Sequence, residues 1–261
     1  MKESQWALEI VPLNNLTISR RSVSYRWETA SPDGFVRQVV QHVSSGHHFY
    51  FTDRVKEHVD LEALDDKLID TYRCDVKPWT RSRRKASGMA STHYVRHGRF
   101  FILLATAGQG SFFESLGESR DRHGRVVRPA VFRDMRRISL VYNAYSIRHT
   151  FCRNSRVIGG VRVSRPGWHT LVRLNKQVNA GLRAHMLELA TRWPKQRLEA
   201  EFWSLGFYPF RPVIDQLLAT VREVNRKRQS QGMAPLDHRK CVRRRRPAER
   251  VFVTRDVSSP V

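Results

Sequence analysis

The chain has 261 residues with 47 Lys or Arg against 24 Asp or Glu, so its formal net charge at neutral pH is +23. Hydrophobic residues make up 40% of the chain and include 13 Phe, 6 Trp and 7 Tyr, which excludes a disordered basic polypeptide and predicts a packed core. Self-repulsion destabilises such a cationic chain unless a polyanion compensates it, and nucleic acid is the usual polyanion. We therefore expect a folded protein that binds nucleic acid.

The cysteines and the apolar segments narrow the class further. Cys74, Cys152 and Cys241 are far apart and form no CxxC pair, which argues against a zinc ribbon or a disulfide framework. The sequence contains no secretory h-region, no lipidation motif and no run of 18 apolar residues. We expect a cytoplasmic, reducing location, no membrane partner and no cofactor.

The N-terminal quarter alternates strand and helix patterns. Ser22 to Trp27 alternates as a strand, and Ser31-Pro32-Asp33 begins a helix that ends near residue 46. Aromatic residues dominate the strand predicted at 47–55. A helix follows over 60–72, with an apolar side and an acidic side.

The acidic side of the helix over 60–72 allows two interpretations. Its charged residues are expected on a solvated face, which is the common arrangement for such helices. Paired carboxylates can instead hold the divalent metal that many nucleases require, so a divalent metal belongs to the nuclease alternative alone. The residues concerned are Glu62, Asp65, Asp66 and Asp70.

The segment 77–106 joins a cationic helix to the predicted core. Pro78 begins a short helix to Ala86, and Trp79 is expected to dock it, with stacking of Trp79 on a nucleic-acid base as the alternative. A hairpin around Gly98 follows, with strands over 91–97 and 99–106. The second strand is apolar on both faces, as a central strand covered twice would be.

The next stretch is predicted to be a loop followed by strands. The loop covers 108–129, with Phe112 and Phe113 attaching it to the body of the protein. The strands are predicted over 131–142, 144–152 and 158–165.

Beyond residue 165 the apolar period becomes helical, over 166–193, 199–203 and 213–228. The predicted fold class is therefore α+β, with a mainly antiparallel sheet and packed helices, then a helical C-terminal part and a basic tail. The predicted domains are an α+β nucleic-acid-binding body over 1–165, a helical part over 166–232 and a tail over 233–261.

Two cationic groups are candidates for phosphate binding, because the guanidinium fork can bind two phosphate oxygens at once. The first lies on and beside the helix over 78–86, and the second lies in the tail. The first group is Lys77, Arg81, Arg84 and Lys85, with Arg96 and Arg99 from the hairpin. The second group is Arg243, Arg244, Arg245 and Arg246.

A catalytic alternative rests on two histidines. His93 and His97 would share one strand face about 7 Å apart, near Arg96 and Arg99, which suits an acid–base pair for metal-independent RNA cleavage. The sequence shows no Ser-His-Asp ordering, P-loop or GxGxxG motif.

The favoured hypothesis is a protein that grips RNA or DNA backbone within a nucleoprotein assembly that can include other proteins. RNA is slightly preferred, because no element resembles a major-groove recognition helix. One alternative is a nuclease or strand-transferase of a mobile element or defence system. Another is a structural protein associated with the ribosome or nucleoid.

Overall fold

The computed structural model describes residues 25–253 except for 121–125, 129, 159–160 and 246–248. At 119–120, 127–128, 154–158 and 161–165 it describes the backbone alone. The chain forms two compact units. Unit one comprises Met1–Ile138 and Arg250–Val261, and unit two comprises Ser139–Glu249. In chain order, unit two is thus an insertion in unit one, and the division falls at 138/139 and not near residue 165.

Unit one combines helices with a four-stranded antiparallel sheet in the order β2-β3-β1-β6, and β4 pairs with β5 separately. The helices predicted over 31–46, 60–72 and 78–86, the strand over 47–55 and the hairpin around Gly98 are confirmed. The described elements are α1 (Pro32–Ser44), β1 (Phe49–Arg54), α2 (Leu61–Tyr72), α3 (Pro78–Ala86), β2 (Thr92–His97), β3 (Phe100–Ala105), α4 (Ser111–Leu116), β4 (Ser119–Arg120), β5 (Val126–Arg128) and β6 (Arg133–Asp134).

Local chemistry explains where these elements begin and turn. The Ser31 side chain accepts a hydrogen bond from the Gly34 amide at 3.1 Å, so it caps α1, and Asp60 caps α2 by accepting from the Glu62 amide at 2.9 Å. Gly98 takes a φ of 54° in the hairpin turn, a left-handed conformation that a residue without Cβ adopts at little cost.

The core of unit one lies on both faces of β3, as its sequence predicts. The side chains of Phe101 to Ala105 are all buried. Helix α1 packs on one face, where the Phe35 ring contacts Phe100 at a centroid distance of 5.6 Å. Helices α2 and α4 cover the other face, where Phe112 is fully buried and Phe113 packs beside it, as predicted.

Three predictions for unit one need correction. The segment predicted as a loop over 108–129 contains helix α4, whose Phe112 and Leu116 pack into the core, and the paired strands β4 and β5. The strand predicted over 131–142 breaks after β6, because the Asp134 carboxylate accepts hydrogen bonds from the Arg136 amide and side chain and fixes a turn. The strand predicted from Ser22 falls partly outside the described residues. Within them, Glu28 and Thr29 form only isolated bridges, to Arg96 and Phe252.

The last described residues of the chain belong to unit one. The Ala30 amide donates to the Val251 carbonyl at 2.9 Å, and the Val253 amide donates to the Glu28 carbonyl at 3.0 Å. A Cβ at position 34 would lie 3.1 Å from the Val251 carbonyl oxygen, so Gly34 gives this segment its room. The 233–261 segment is therefore not a wholly extended tail.

Unit two pairs a three-stranded antiparallel sheet, in the order β7-β8-β9, with helices. The predicted helix over 166–193 is wrong for its first third, because residues 161–174 pair with β8 along its whole length and the helix begins at Lys176. The described elements are β7 (Leu140–Tyr142), β8 (Tyr145–Ile158), β9 (Val161–Leu174), α5 (Lys176–Leu189), α6 (Lys195–Ser204), α7 (Arg211–Gln229) and α8 (His238–Cys241).

Helix α7 fixes the base of the long β8–β9 hairpin. The Gln216 side chain accepts a hydrogen bond from the Leu174 amide at 2.8 Å and donates to the Leu174 carbonyl at 3.2 Å. The Tyr145 hydroxyl accepts from the Tyr208 amide at 2.8 Å. The predicted α+β fold class is therefore confirmed, with antiparallel sheets in each unit and a helical C-terminal part.

The predicted basic tail begins inside unit two. Leu236, Cys241 and Val242 are buried, and the Asp237 amide donates to the Glu199 carboxylate at 2.7 Å. The prediction of a tail is thus wrong for these residues, because their apolar side chains pack in unit two. The arginines Arg243, Arg244 and Arg245, which follow them, are exposed.

Candidate nucleic-acid interface

Helix α3 displays an exposed cationic surface that we call the α3 surface and define as Lys77, Trp79, Arg83, Arg84 and Lys85. None of the residues of α3 is fully buried, and Lys77, Arg83 and Lys85 are exposed. No Asp or Glu occurs between positions 76 and 113. The helix thus carries positive charge with no acidic residue of its own to neutralise it.

Trp79 lies outside the core, contrary to the prediction that it docks the helix. Its side chain is 58% exposed, and the Arg83 guanidinium lies over its ring at 5.7 Å from the centroid. A cation over the face of an indole is attracted by the ring quadrupole. The pair therefore presents an aromatic ring and a guanidinium side by side at the surface.

Arg81, and not Trp79, attaches α3 to the body of unit one. Its Nη1 donates to the His93 ring at 3.0 Å, and its Nη2 donates to the Cys74 carbonyl at 2.5 Å. Arg81 Nε is buried and has no hydrogen-bond partner. Arg81 was predicted in the phosphate-binding group, but its inward direction removes it from the α3 surface.

His93 belongs to a cluster of three histidine rings that we call the histidine cluster, made of His42, His47 and His93. The His42 and His93 rings stack at 3.9 Å between centroids, and the His47 ring meets His93 at 4.8 Å. The turn at Gly46 brings His42 and His47 together, and the His47 amide donates to the His42 carbonyl at 3.1 Å. The cluster lies under α3 and against Arg81.

Burial keeps the histidine cluster neutral. Burial, assisted by the neighbouring Arg81 charge, lowers the pKa of His42 to about 3 and that of His47 to about 4. Burial and the neighbouring His42 and Arg81 also lower the pKa of His93 far below the usual range. A histidine held neutral in this way cannot supply a proton at neutral pH, so the structure gives the predicted pair of His93 and His97 no support as an acid–base pair.

His97 lies at the end of β2 in a different environment. It is half-buried, and burial together with the Arg96 charge lowers its pKa. Within the described residues, no group of three or more His, Cys, Asp or Glu is placed to hold a metal ion.

Arg96 was predicted at the surface but is 2% exposed. Its Nε donates to Asp65 at 2.9 Å and its Nη2 donates to the same carboxylate at 3.0 Å, while Glu28 lies 3.1 Å from Nη2. Asp65 is fully buried and Glu28 is half-buried. Arg96 is therefore committed to an internal ion pair and is not available to phosphate.

Asp65 was predicted on a solvated face of α2 and is instead fully buried. Besides Arg96, its carboxylate accepts hydrogen bonds from Trp27 Nε1 at 2.7 Å and from the Tyr94 hydroxyl at 2.6 Å. Burial and the Asp65 charge raise the pKa of Tyr94 well above its usual value. We call Trp27, Asp65, Tyr94 and Arg96 the carboxylate network.

Arg99 lies at the surface, but its guanidinium is already engaged. It donates to the Lys56 carbonyl at 2.6 Å and to the Glu57 carbonyl at 2.9 Å. Its planar fork thus fastens a backbone turn, and binding to phosphate would have to compete with those two bonds.

The arginines of the tail are exposed where the structure describes them. Arg243, Arg244 and Arg245 are exposed, and the Arg243 guanidinium lies over the Trp203 ring at 4.9 Å from the centroid. Arg246 lies outside the described residues. The tail arginines therefore form a second cationic group, in unit two.

A cleft of about 370 Å³ lies beside α3. Its lining includes Arg84 of α3, Met89 just beyond the end of α3, Arg73 and Thr92. Arg84, half-buried here, therefore joins the α3 surface to a cleft that is large enough for a small planar group.

No protein-family profile, characterised protein or solved structure matches this chain. None of the helices in the described part of the chain has the length and apolar character needed to cross a bilayer.

Sequence reasoning missed Arg83, the histidine cluster and the exposure of Trp79. Helical spacing did place Arg83 with Trp79 on one face, and the absence of acidic residues marked the segment. Nothing in the spacing of His42, His47 and His93 predicted that strand β2 would place His93 against the turn that follows α1.

Proposed function

We propose that the protein binds nucleic acid, with the α3 surface of unit one gripping the phosphate backbone. The observation that carries the proposal is the exposed Trp79–Arg83 pair between Lys77 and Lys85, on a helix without buried residues. Lysine and arginine neutralise phosphates and release counterions, and an adjacent aromatic ring can stack on a base.

The exposed indole favours unpaired nucleotides. A base inside a duplex is already stacked on its neighbours, whereas an unpaired base in an RNA loop or a single strand is free to stack on a tryptophan. Trp79, at 58% exposure, offers that platform without a rearrangement of the core. The partner proposed for this surface is therefore single-stranded or looped nucleic acid, with RNA slightly preferred.

Anchoring by Arg81 supports the same proposal, because it holds the surface in place before a ligand arrives. The two hydrogen bonds of Arg81, to His93 and to the Cys74 carbonyl, fix α3 without using its exposed cations. A preorganised surface loses less conformational entropy on binding than a mobile one.

The proposal is tested by removing cations from the α3 surface and measuring how the salt dependence of RNA binding changes. Binding of a labelled 20-nucleotide RNA is measured by fluorescence anisotropy over a series of salt concentrations. The double variant Arg83→Gln and Lys85→Gln removes two exposed cations, so the slope of log K against log[salt] should become shallower by about 1.4, since each contact with a single strand contributes about 0.7.

The matched control is Arg54→Gln with Lys56→Gln, which removes the same charge from another exposed part of unit one. Its salt slope should change little. Equal slopes for the two double variants would show that net charge alone attracts the RNA, and the α3 surface would then be the wrong assignment.

A further inference from the structure

The β8–β9 hairpin of unit two, which we call the ribbon, has a buried base and an exposed continuation. Tyr145, Ile147 and Val172 near the base are buried. Further along the same face, Phe151 is 52% exposed and Trp168 is 54% exposed. The strands remain paired beyond this point as far as Ile158 and Val161. At about 3.3 Å per residue, the part from Phe151 to Ile158 is about 26 Å long.

The ribbon carries charge of one sign. Between residues 145 and 174 the chain has no Asp, Glu or Lys. Its charged residues are Arg148, Arg153, Arg156, Arg162, Arg165 and Arg173. An all-cationic element of this kind repels itself, and a polyanion is the chemistry that complements it.

The two faces of the ribbon differ. Successive side chains of a strand point to opposite faces, so Phe151, its cross-strand partner Trp168 and the exposed Arg153 lie on one face, and the exposed Arg148 and Arg173 lie on the other. The Trp168 ring stacks on His149 at 5.4 Å and meets Phe151 edge-on at 5.9 Å. Exposed arginines thus occur on both faces of the ribbon, whereas a flat single-strand platform would use one face alone.

We propose that the ribbon enters a groove of B-form DNA, so that both of its faces meet the duplex. The major groove of B-form DNA is about 12 Å wide and admits a two-stranded β-ribbon, whereas the major groove of A-form RNA is too deep and narrow. In this arrangement Arg148 contacts phosphates along one wall of the groove, and Arg153, Trp168 and Phe151 meet the phosphates, sugars and bases along the other.

The inference extends the proposed function to a second surface and a duplex partner, and it rests on residues of unit two alone. The α3 surface and the ribbon therefore succeed or fail separately. Ribbon variants that change duplex binding while single-strand binding stays constant would support the ribbon whatever the fate of the α3 surface.

The experiment uses the full chain and three labelled probes of one sequence: a 20-base-pair DNA duplex, the corresponding RNA duplex and the single-stranded DNA. The ribbon variant is Arg148→Gln with Arg153→Gln, which removes one exposed arginine from each face. The control is Arg222→Gln with Arg226→Gln, which removes two exposed arginines from α7 of the same unit. For the DNA duplex the ribbon variant should lower the salt slope by about 2 and the control should not.

A second variant, Trp168→Ala, tests the aromatic face without changing charge. Because Trp168 is exposed, the fold should be retained, which circular dichroism checks. Affinity for the DNA duplex should fall about tenfold, while affinity for the RNA duplex stays within about twofold, since stacking and wedge contacts contribute on this scale.

Three results would overturn the inference. Unchanged DNA-duplex affinity in both ribbon variants would show that the ribbon does not touch DNA. An equal loss in the control would reduce the effect to net charge. A loss confined to the RNA duplex or the single strand would assign the ribbon to that nucleic acid and contradict B-form groove entry.

Discussion

Each face of strand β2 carries or contacts one arginine, and the partners of the two arginines differ: Arg96 is buried and Arg81 is half-buried. On one face Arg96 meets the carboxylate network, where Asp65 and Glu28 supply negative charge. On the other face His93 and the histidine cluster receive Arg81, whose hydrogen bonds go to a neutral ring and a backbone carbonyl. The comparison shows that one arginine is an internal ion pair and the other is an anchor for a surface helix.

Electrostatics separates the two arrangements. Asp65 and Glu28 balance Arg96: burial lowers the pKa of Arg96, but the hydrogen bonds and charge of Asp65 together with the charge of Glu28 raise it above its ordinary value. Arg81 has no such partner at hydrogen-bond distance, and burial lowers its pKa. The carboxylate network should therefore govern the stability of unit one, and the histidine cluster its response to pH.

The largest effect is expected from Asp65→Asn. This change leaves the Arg96 charge buried with only Glu28 beside it and also weakens the hydrogen bonds from Trp27 and Tyr94. The free energy of unfolding, measured by urea titration, should fall by about 3–5 kcal/mol. The exposed carboxylate on the same helix supplies the control: Glu62→Gln should cost no more than about 0.5 kcal/mol. Similar values for both variants would contradict a structural role for the network.

A smaller effect distinguishes the anchor from the exposed ring of α3. Arg81→Met removes hydrogen bonds from a charged donor and should lower the free energy of unfolding by about 2 kcal/mol. Trp79→Ala, at an exposed position, should change it by less than about 0.5 kcal/mol. If the tryptophan variant were the more destabilised in urea, α3 would be docked by Trp79, as its sequence suggested.

The smallest effect is on the pH dependence of stability. The pKa values of His42 and His47 in the folded protein lie below the ordinary 6.5, so the unfolded chain binds more protons as the solution becomes acidic. The contribution of these two neutral histidines to the free energy of unfolding is therefore complete above pH 6.5. It is lost as the pH falls toward about 4 for His47 and about 3 for His42.

His42→Phe removes one of these groups and keeps a stacked ring. Between pH 6 and pH 5 the slope of unfolding free energy against pH should decrease by up to about 1.4 kcal/mol per pH unit. The comparison is His58→Gln, which removes an exposed histidine outside the histidine cluster and should change the slope less than His42→Phe does. An unchanged slope in His42→Phe would show that His42 titrates normally in the folded state.

Much of unit one follows from local sequence signals. Pro78 marks the start of α3, Asp60 caps α2, and Gly98 makes the turn between β2 and β3. The apolar run of β3 correctly indicates a strand covered on both faces. These signals act within a few residues, so a single sequence contains them.

Local sequence signals do not predict which polar side chains point inward, as those of Asp65, Arg81 and Arg96 do. Helical and strand periodicity assign polar residues to the outside, and only partners distant in sequence make their burial favourable. Asp65 meets Arg96 31 residues later, and Arg81 meets His93 12 residues later. The pattern therefore predicts the elements of the candidate site better than it predicts which cations face the solvent.

The ribbon was predicted only in part: the strands expected over 144–152 and 158–165 are present as β8 and β9, but β9 continues to Leu174. Leu171, Leu174 and Val178 have the spacing of a helical stripe, so β9 was joined to the helix that follows it. In the structure Val172 and Leu174 alternate inward against α7, and Asn175 then caps α5 by accepting from the Val178 amide at 2.9 Å. A short apolar segment next to a helix fits both periods, and the cross-strand partner decides between them.

The return of Val251 and Val253 to unit one also bears on the order of folding during synthesis. A ribosome releases unit two completely before it releases these residues, while the bonds from Ala30 and to Glu28 still lack their partners. Unit two can therefore mature first on the nascent chain, and unit one is completed after translation has passed Val253. Truncation near residue 249 would consequently weaken the unit that carries the α3 surface, although it lies far away along the polypeptide.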